Sequence, residues 1–258
     1  MNGVSNDSLF IAGVKSVSLV DEPKKSVSMV YLQGCNFDCG FCHNASLIPM
    51  FNRKKDEMTP FKKLFETLSE NFLIDGVIFT GGEPLLQPNL VEVARKLSDN
   101  FNVVGIDTNG TSPLLVEKIS PFLSRIAMDI KSSFDNYKIV TRSKVNIENI
   151  KKTIEILCKR SQTKRVEFRT TYIPPFISLE DLMAVGEFLA SKNFSGSGDT
   201  GSYLVLQQYI PGEGVREELK ESFVTTPYED LEIIGKKLME YGIPVAIRSQ
   251  ENGYSPLI

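Results

Sequence analysis

Short runs rich in β-branched and aromatic residues alternate with helix-period segments from about residue 27 onward. This alternation restricts the chain to βα units around a parallel sheet. The runs cover residues 27–32, 76–80, 103–107, 125–130, 165–171, 203–208 and 244–247. Phe61, Leu64, Phe65, Leu68 and Phe72 recur at helical spacing behind Thr59 as N-cap and Pro60 at the first helical position. Thr226, with Glu229 three residues on, predicts a capping box for a helix carrying Leu231, Ile234 and Leu238 and stopped by Gly242. Further helices are expected to begin at Asn146 and Ser178. About six βα units follow an N-terminal strand pair within residues 10–32, whose first strand starts near Ile11. No Pro/Gly-rich linker interrupts the 258 residues, so a single domain over 1–258 is expected, an α/β fold forming an open or partial barrel. Residues 248–258 carry no assignment.

Composition removes several functions. Lys and Arg number 29 against 32 Asp and Glu, so no global basic field recruits nucleic acid. No apolar run approaches the ~18 residues of a membrane helix, and no membrane partner is expected. The start MNGVSNDSLFIAGVKSV lacks the features of a secretory signal, which points to a cytoplasmic, thiol-preserving compartment. A single histidine, His43, rules out multi-histidine metal sites and leaves one base for any Ser-His-Asp triad. Gly196, Gly198 and Gly201 spell G-x-G-x-x-G, but a helix precedes them and a strand follows, the reverse of a dinucleotide loop.

Three of the four cysteines, Cys35, Cys39 and Cys42, fall in the loop at 34–44 directly after the first parallel strand. Thiolates this close repel unless a metal neutralises them. Structural zinc wants a fourth ligand, and the adjacency of Cys42 and His43 makes one tetrahedron hard to complete in so tight a loop. A four-iron cubane bound by three thiolates leaves one iron open to a small molecule. Cys158, on an expected helix, reads as a buried helix residue. His43 either bonds near the cluster or caps the loop.

The spacing C-x3-C-x2-C, with Phe41 before the last cysteine, resembles the signature of radical S-adenosylmethionine (SAM) enzymes. Gly81, Gly82, Glu83 and Pro84 follow the second parallel strand and are similar to the family segment that receives the amino group of SAM. Paired glycines permit close approach of a ligand, and a carboxylate suits an ammonium. Asp107, Thr108 and Asn109 after the third strand, and Asp129 with Lys131 after the fourth, resemble segments of the glycyl-radical-enzyme activases. The resemblance implies a monovalent cation beside SAM near Asp107 and Asp129, and a lysine that pairs with the SAM carboxylate. It also places Arg169 in contact with SAM and Phe41 near the adenine. Strand alternation sends one of Gln207 and Gln208 toward the adenosyl group.

What the resemblance implies is a partial (β/α)6 barrel of the radical SAM type holding a 4Fe-4S cluster and SAM. A reductively generated 5′-deoxyadenosyl radical would abstract a hydrogen atom. The branch resembled most contains the activating proteins of anaerobic ribonucleotide reductase, whose partners are that glycyl radical enzyme and a low-potential reductant such as flavodoxin or ferredoxin. Two other readings stand beside it. One is a radical SAM enzyme acting on a small molecule or a modified nucleobase, tRNA-linked included. The other is a non-catalytic iron-sulfur electron carrier.

Overall fold

A computed structural model describes residues 7–48, 58–174, 176–195 and 200–257. They divide into two compact units, one comprising Met1–Asn36, Ser46–Thr108 and Leu114–Ile126, the other Phe37–Ala45, Asn109–Pro113 and Ala127–Ile258.

The first unit carries β1 (Ile11–Ser18), β2 (Val27–Leu32), α1 (Phe61–Ser69), β3 (Gly76–Gly81), α2 (Leu90–Ser98), β4 (Val103–Thr108) and most of α3 (Pro113–Ile119). β1 runs antiparallel to β2, while β2, β3 and β4 are parallel neighbours in chain order. Parallel strands covered on both faces read as continuous apolar runs. Accordingly Val30, Leu32, Val77, Ile78, Phe79 and Ile106 are at most 0% exposed. Burying each such side chain contributes roughly 1.5–3 kcal/mol.

β5 (Arg125–Asp129) leads the chain into the second unit, where α4 (Tyr137–Thr141), α5 (Ile147–Arg160), β6 (Arg165–Tyr172), α6 (Leu179–Ser191), β7 (Tyr203–Gln208), α7 (Tyr228–Met239), β8 (Val245–Ser249) and β9 (Gly253–Pro256) follow. β6, β7 and β8 are parallel, and β9 turns back antiparallel on β8. The unassigned C-terminal stretch therefore adds an edge strand. Of the G-x-G-x-x-G loop, Gly196 and Gly198 lie outside the described residues.

Two helix starts differ from expectation. α1 begins at Phe61 with Pro60 in the N-cap position and no side-chain cap. Thr59 is drawn instead into an isolated antiparallel bridge, exchanging backbone hydrogen bonds with Leu9 at 3.0 and 2.8 Å. Phe72 stands past the end of α1, exposed to solvent. α7 likewise starts behind Pro227 without a side-chain cap, so the Thr226–Glu229 box does not form. The capping box sits on α6, where Ser178 and Asp181 bond reciprocally.

Candidate functional site

In the first unit the chain leaves β2 through Gln33, Gly34 and Cys35 and is fixed by its backbone. Gly34 N–H donates to Leu47 O at 2.7 Å and Cys35 N–H to Ile48 O at 3.2 Å. The Gly-Gly-Glu segment after β3 closes on the same residues, with Gly82 N–H on Leu32 O at 2.9 Å and Glu83 N–H on Gly34 O at 2.7 Å. A Cβ on Gly82 would sit 1.9 Å from the Gly34 carbonyl oxygen, and Gly81 has φ +106°. The paired glycines thus let the chain approach itself at the root of the cysteine loop, a use that their reading as ligand space had not anticipated.

Glu83 is 1% exposed and caps the 3-10 turn Pro84–Leu86. Its Oε1 accepts from Leu85 N–H at 3.0 Å and from Thr108 Oγ1 at 2.7 Å. Asp107, one residue before Thr108, holds Arg125 Nη1 at 2.7 Å, and Glu22 lies 3.4 Å from the Nε of the same guanidinium. Burial, followed by the charges of Asp21 and Asp107, raises the Tyr31 phenol above its usual value.

In the second unit the rest of the cysteine loop is held by side chains and backbone together. Phe37 meets Tyr137 edge-on with ring centroids 6.1 Å apart, and Phe41 meets Phe176 in the same way at 6.3 Å. Asp38 donates its N–H to Thr141 O at 2.9 Å and carries the Arg216 guanidinium on its carboxylate. His43 stacks on Tyr209 and donates from Nε2 to Ile210 O at 2.7 Å. A Cβ on Gly214 would lie 1.6 Å from His43 O, so glycine there lets the segment after β7 cross the loop. Cys39 is buried and Cys42 half-buried. Cys158, on α5, is buried, and desolvation pushes its thiol up to about 12.

Asp129 Oδ2 binds Lys131 Nζ at 2.7 Å, and that ammonium stands 5.9 Å from the centre of the Phe41 ring. Burial works against the charged form of Lys131, but Asp129 and Cys39 outweigh it and raise its pKa. Asn109 turns back locally, its Oδ1 accepting from Thr111 N–H at 3.1 Å and Thr111 Oγ1 at 2.8 Å. Arg169 is buried with the anionic partner that its position on a strand demanded: Nε and Nη2 bind Glu167 Oε2 at 2.9 and 2.8 Å. Gln208 is buried, its amide bonded to Thr226 O, Glu251 Oε1 and Gln250 N–H. Gln207 is half-buried.

Sequence reasoning missed Arg125, Glu22, Tyr137, Tyr209 and Arg216. Arg125 opens the run at 125–130, and its partners Asp107 and Glu22 lie too far away in sequence to be paired with it by pattern.

Among the described residues no three His, Cys, Asp or Glu side chains converge as ligands of a single metal ion. A multi-iron cluster asks less, because each thiolate takes its own iron, and a set of soft thiols within eight residues suits it. The donor set of Cys35, Cys39 and Cys42 therefore fits such a cluster. Among the described residues no helix is long and apolar enough to cross a membrane.

The chain is 32% identical over 246 residues to a Methanocaldococcus jannaschii protein assigned as a glycyl-radical enzyme activating enzyme, covering 93% of this chain and 95% of that one. It is 32% identical over 152 residues to the pyruvate formate-lyase-activating enzyme of Clostridium pasteurianum, covering 56% of this chain and 63% of the relative. The solved structure of TYW1 with a lysine-pyruvate adduct bound superposes with a TM-score of 0.62 at 17% identity, over 90% of this chain and 79% of the other. The fold class is accordingly the α/β partial barrel of radical SAM enzymes. The sequence profile of the radical SAM superfamily matches residues 29–189, and the chain belongs to that superfamily.

Proposed function

We propose that this protein is an activase that installs a glycyl radical on a partner enzyme of the anaerobic ribonucleotide reductase type. The observation that carries the reading is the 32% identity with an assigned activating enzyme, sustained over 93% of this chain. Cys35, Cys39 and Cys42 would hold a 4Fe-4S cluster with one iron left open for SAM. When bound there, such a cluster would supply the single electron needed to cleave SAM reductively, and the hydrogen atom would come from the partner's glycine. A flavodoxin or ferredoxin would deliver that electron, and iron-sulfur potentials extending to about −700 mV make the reduction accessible.

The side chains have positioning and charge roles. Lys131 keeps its positive charge over the working pH range, as pairing with a carboxylate of SAM requires. Glu83, fixed by Thr108 and by Leu85 N–H, offers a buried carboxylate toward an ammonium. Gly81 and Gly82 bring this segment onto the root of the cysteine loop. Phe41 beside Lys131 offers an aromatic surface for the adenine. Arg169 and Gln208 already have protein partners, Arg169 the Glu167 carboxylate on its own strand and Gln208 the segments at Thr226 and Gln250. Errors of about 1 Å in such placement cost roughly a hundredfold in rate.

A partner deuterated at its glycines tests the reading. Deuterium recovered in 5′-deoxyadenosine is the expected result. Unlabelled 5′-deoxyadenosine formed at full rate in the presence of a metabolite or nucleobase substrate would overturn it in favour of small-molecule chemistry.

A further inference from the structure

We propose that the buried guanidinium of Arg125 supplies at Asp107 the positive charge that the family resemblance assigns to a monovalent cation, so that SAM binding needs no added Na+ or K+. The inference rests on the reading of Asp107 as part of the SAM-holding strand ends.

Arg125 opens β5 and its side chain is 1% exposed. Nη1 lies 2.7 Å from Asp107 Oδ1, and Nε lies 3.4 Å from Glu22 Oε2. Space for this arrangement comes from β4. A Cβ on Gly105 would stand 3.6 Å from Arg125 Nη1 and 3.3 Å from both Arg125 O and Ile78 Cγ1. A Cβ there would be tight against the Arg125 carbonyl and Ile78 while meeting the guanidinium at ordinary contact distance.

The guanidinium is tethered to the chain, so the charge it brings to Asp107 does not exchange with ions in solvent. A metal cation ligated by Asp107 would stand within a few ångströms of that charge, where the low-dielectric surroundings strengthen repulsion. The other aspartate that the resemblance places near the ion is paired as well. In the second unit Asp129 carries its own side-chain cation, Lys131, at 2.7 Å. At Asp107 the residues present therefore do not fit the expected ion, because a buried protein cation stands in its place.

The test is the affinity of the reconstituted holoenzyme for SAM, read by equilibrium dialysis and by the SAM-induced change in the EPR spectrum of the reduced cluster. Choline, sodium and potassium chloride are compared at equal ionic strength. The wild-type dissociation constant is expected to agree across the three salts within about twofold. Arg125→Met is expected to bind roughly tenfold more weakly in choline and to recover when Na+ or K+ is added, whereas Arg125→Lys stays independent of the salt. Wild-type binding that tightens about tenfold in Na+ or K+ would overturn the proposal, and so would a folded Arg125→Met with wild-type affinity in choline. If Arg125→Met does not fold, the wild-type comparison alone decides. Salt-independent SAM binding without radical formation on a partner would sustain this inference while contradicting the activase reading.

Discussion

Asp107 and Asp129 lie at the C-terminal ends of consecutive strands, and each is paired with a side-chain cation 2.7 Å away, yet the two pairs are built differently. Asp107 is matched to a guanidinium 1% exposed, anchored from a second side by Glu22. Asp129 is matched to an ammonium 19% exposed, while its own side chain is 36% exposed. A buried pair with several partners is costly to disturb and stays fixed, whereas a pair whose carboxylate is more than a third exposed loses less when its cation is drawn to a ligand. The first pair is part of the frame, and the second is the one that the proposed function assigns to SAM.

Substitutions that remove one partner at a time measure this difference. The largest effect is expected at Arg125→Met, which strands Asp107 and Glu22 together. Loss of about 3–5 kcal/mol of stability should appear in urea unfolding. Equality with Lys131→Met would erase the contrast. Gly82→Ala, on the frame side but without any charge, is expected to cost about 1–3 kcal/mol because its methyl meets the Gly34 carbonyl. It should also lower iron incorporation on reconstitution, since Cys35 follows the displaced residue.

A third carboxylate sharpens the comparison, because Asp181 is stabilised by neutral donors alone. Burial would raise its pKa, but hydrogen bonds from Ser133, Ser178 and Asn136 outweigh burial and lower it. Its stabilising contribution is therefore full above the unfolded value of about 4 and fades as pH falls through the lowered folded value. Asp181→Ala should cost about 1 kcal/mol at neutral pH through loss of the α6 cap, and less in acid, as thermal unfolding against pH would record. The smallest stability change, under about 1 kcal/mol, is expected for Lys131→Met. Its SAM affinity should nevertheless fall roughly 10–100-fold, because a charge-assisted hydrogen bond is lost. Unchanged affinity would return Lys131 to the frame.

Much of this was legible beforehand where it depended on local pattern. β2 and β7 match their apolar runs residue for residue, and α5 and α6 start at Asn146 and Ser178 as their capping chemistry predicts. The cysteine spacing and the motifs at four strand ends were also local. What escaped depended on distant partners. Thr59 has the makings of an N-cap, yet Leu9 claims its backbone from 50 residues away. Arg125 gains meaning only through Asp107 and Glu22, neither of them close in sequence. His43 left two readings open, and its stacking on Tyr209 and bond to Ile210 O make it an anchor of the loop to the segment after β7. β9 escaped because four residues with a glycine and a proline carry little strand propensity; register with β8 creates it.

The central claim is that the radical chemistry of this chain is directed at another protein. The most direct measurement is EPR of the anaerobically reconstituted, reduced protein mixed with SAM and the anaerobic ribonucleotide reductase of the same organism. A glycyl-radical doublet that grows with 5′-deoxyadenosine formation is the result predicted. Formation of 5′-deoxyadenosine with no doublet on the partner would contradict the claim and leave a working radical SAM enzyme with a different hydrogen donor.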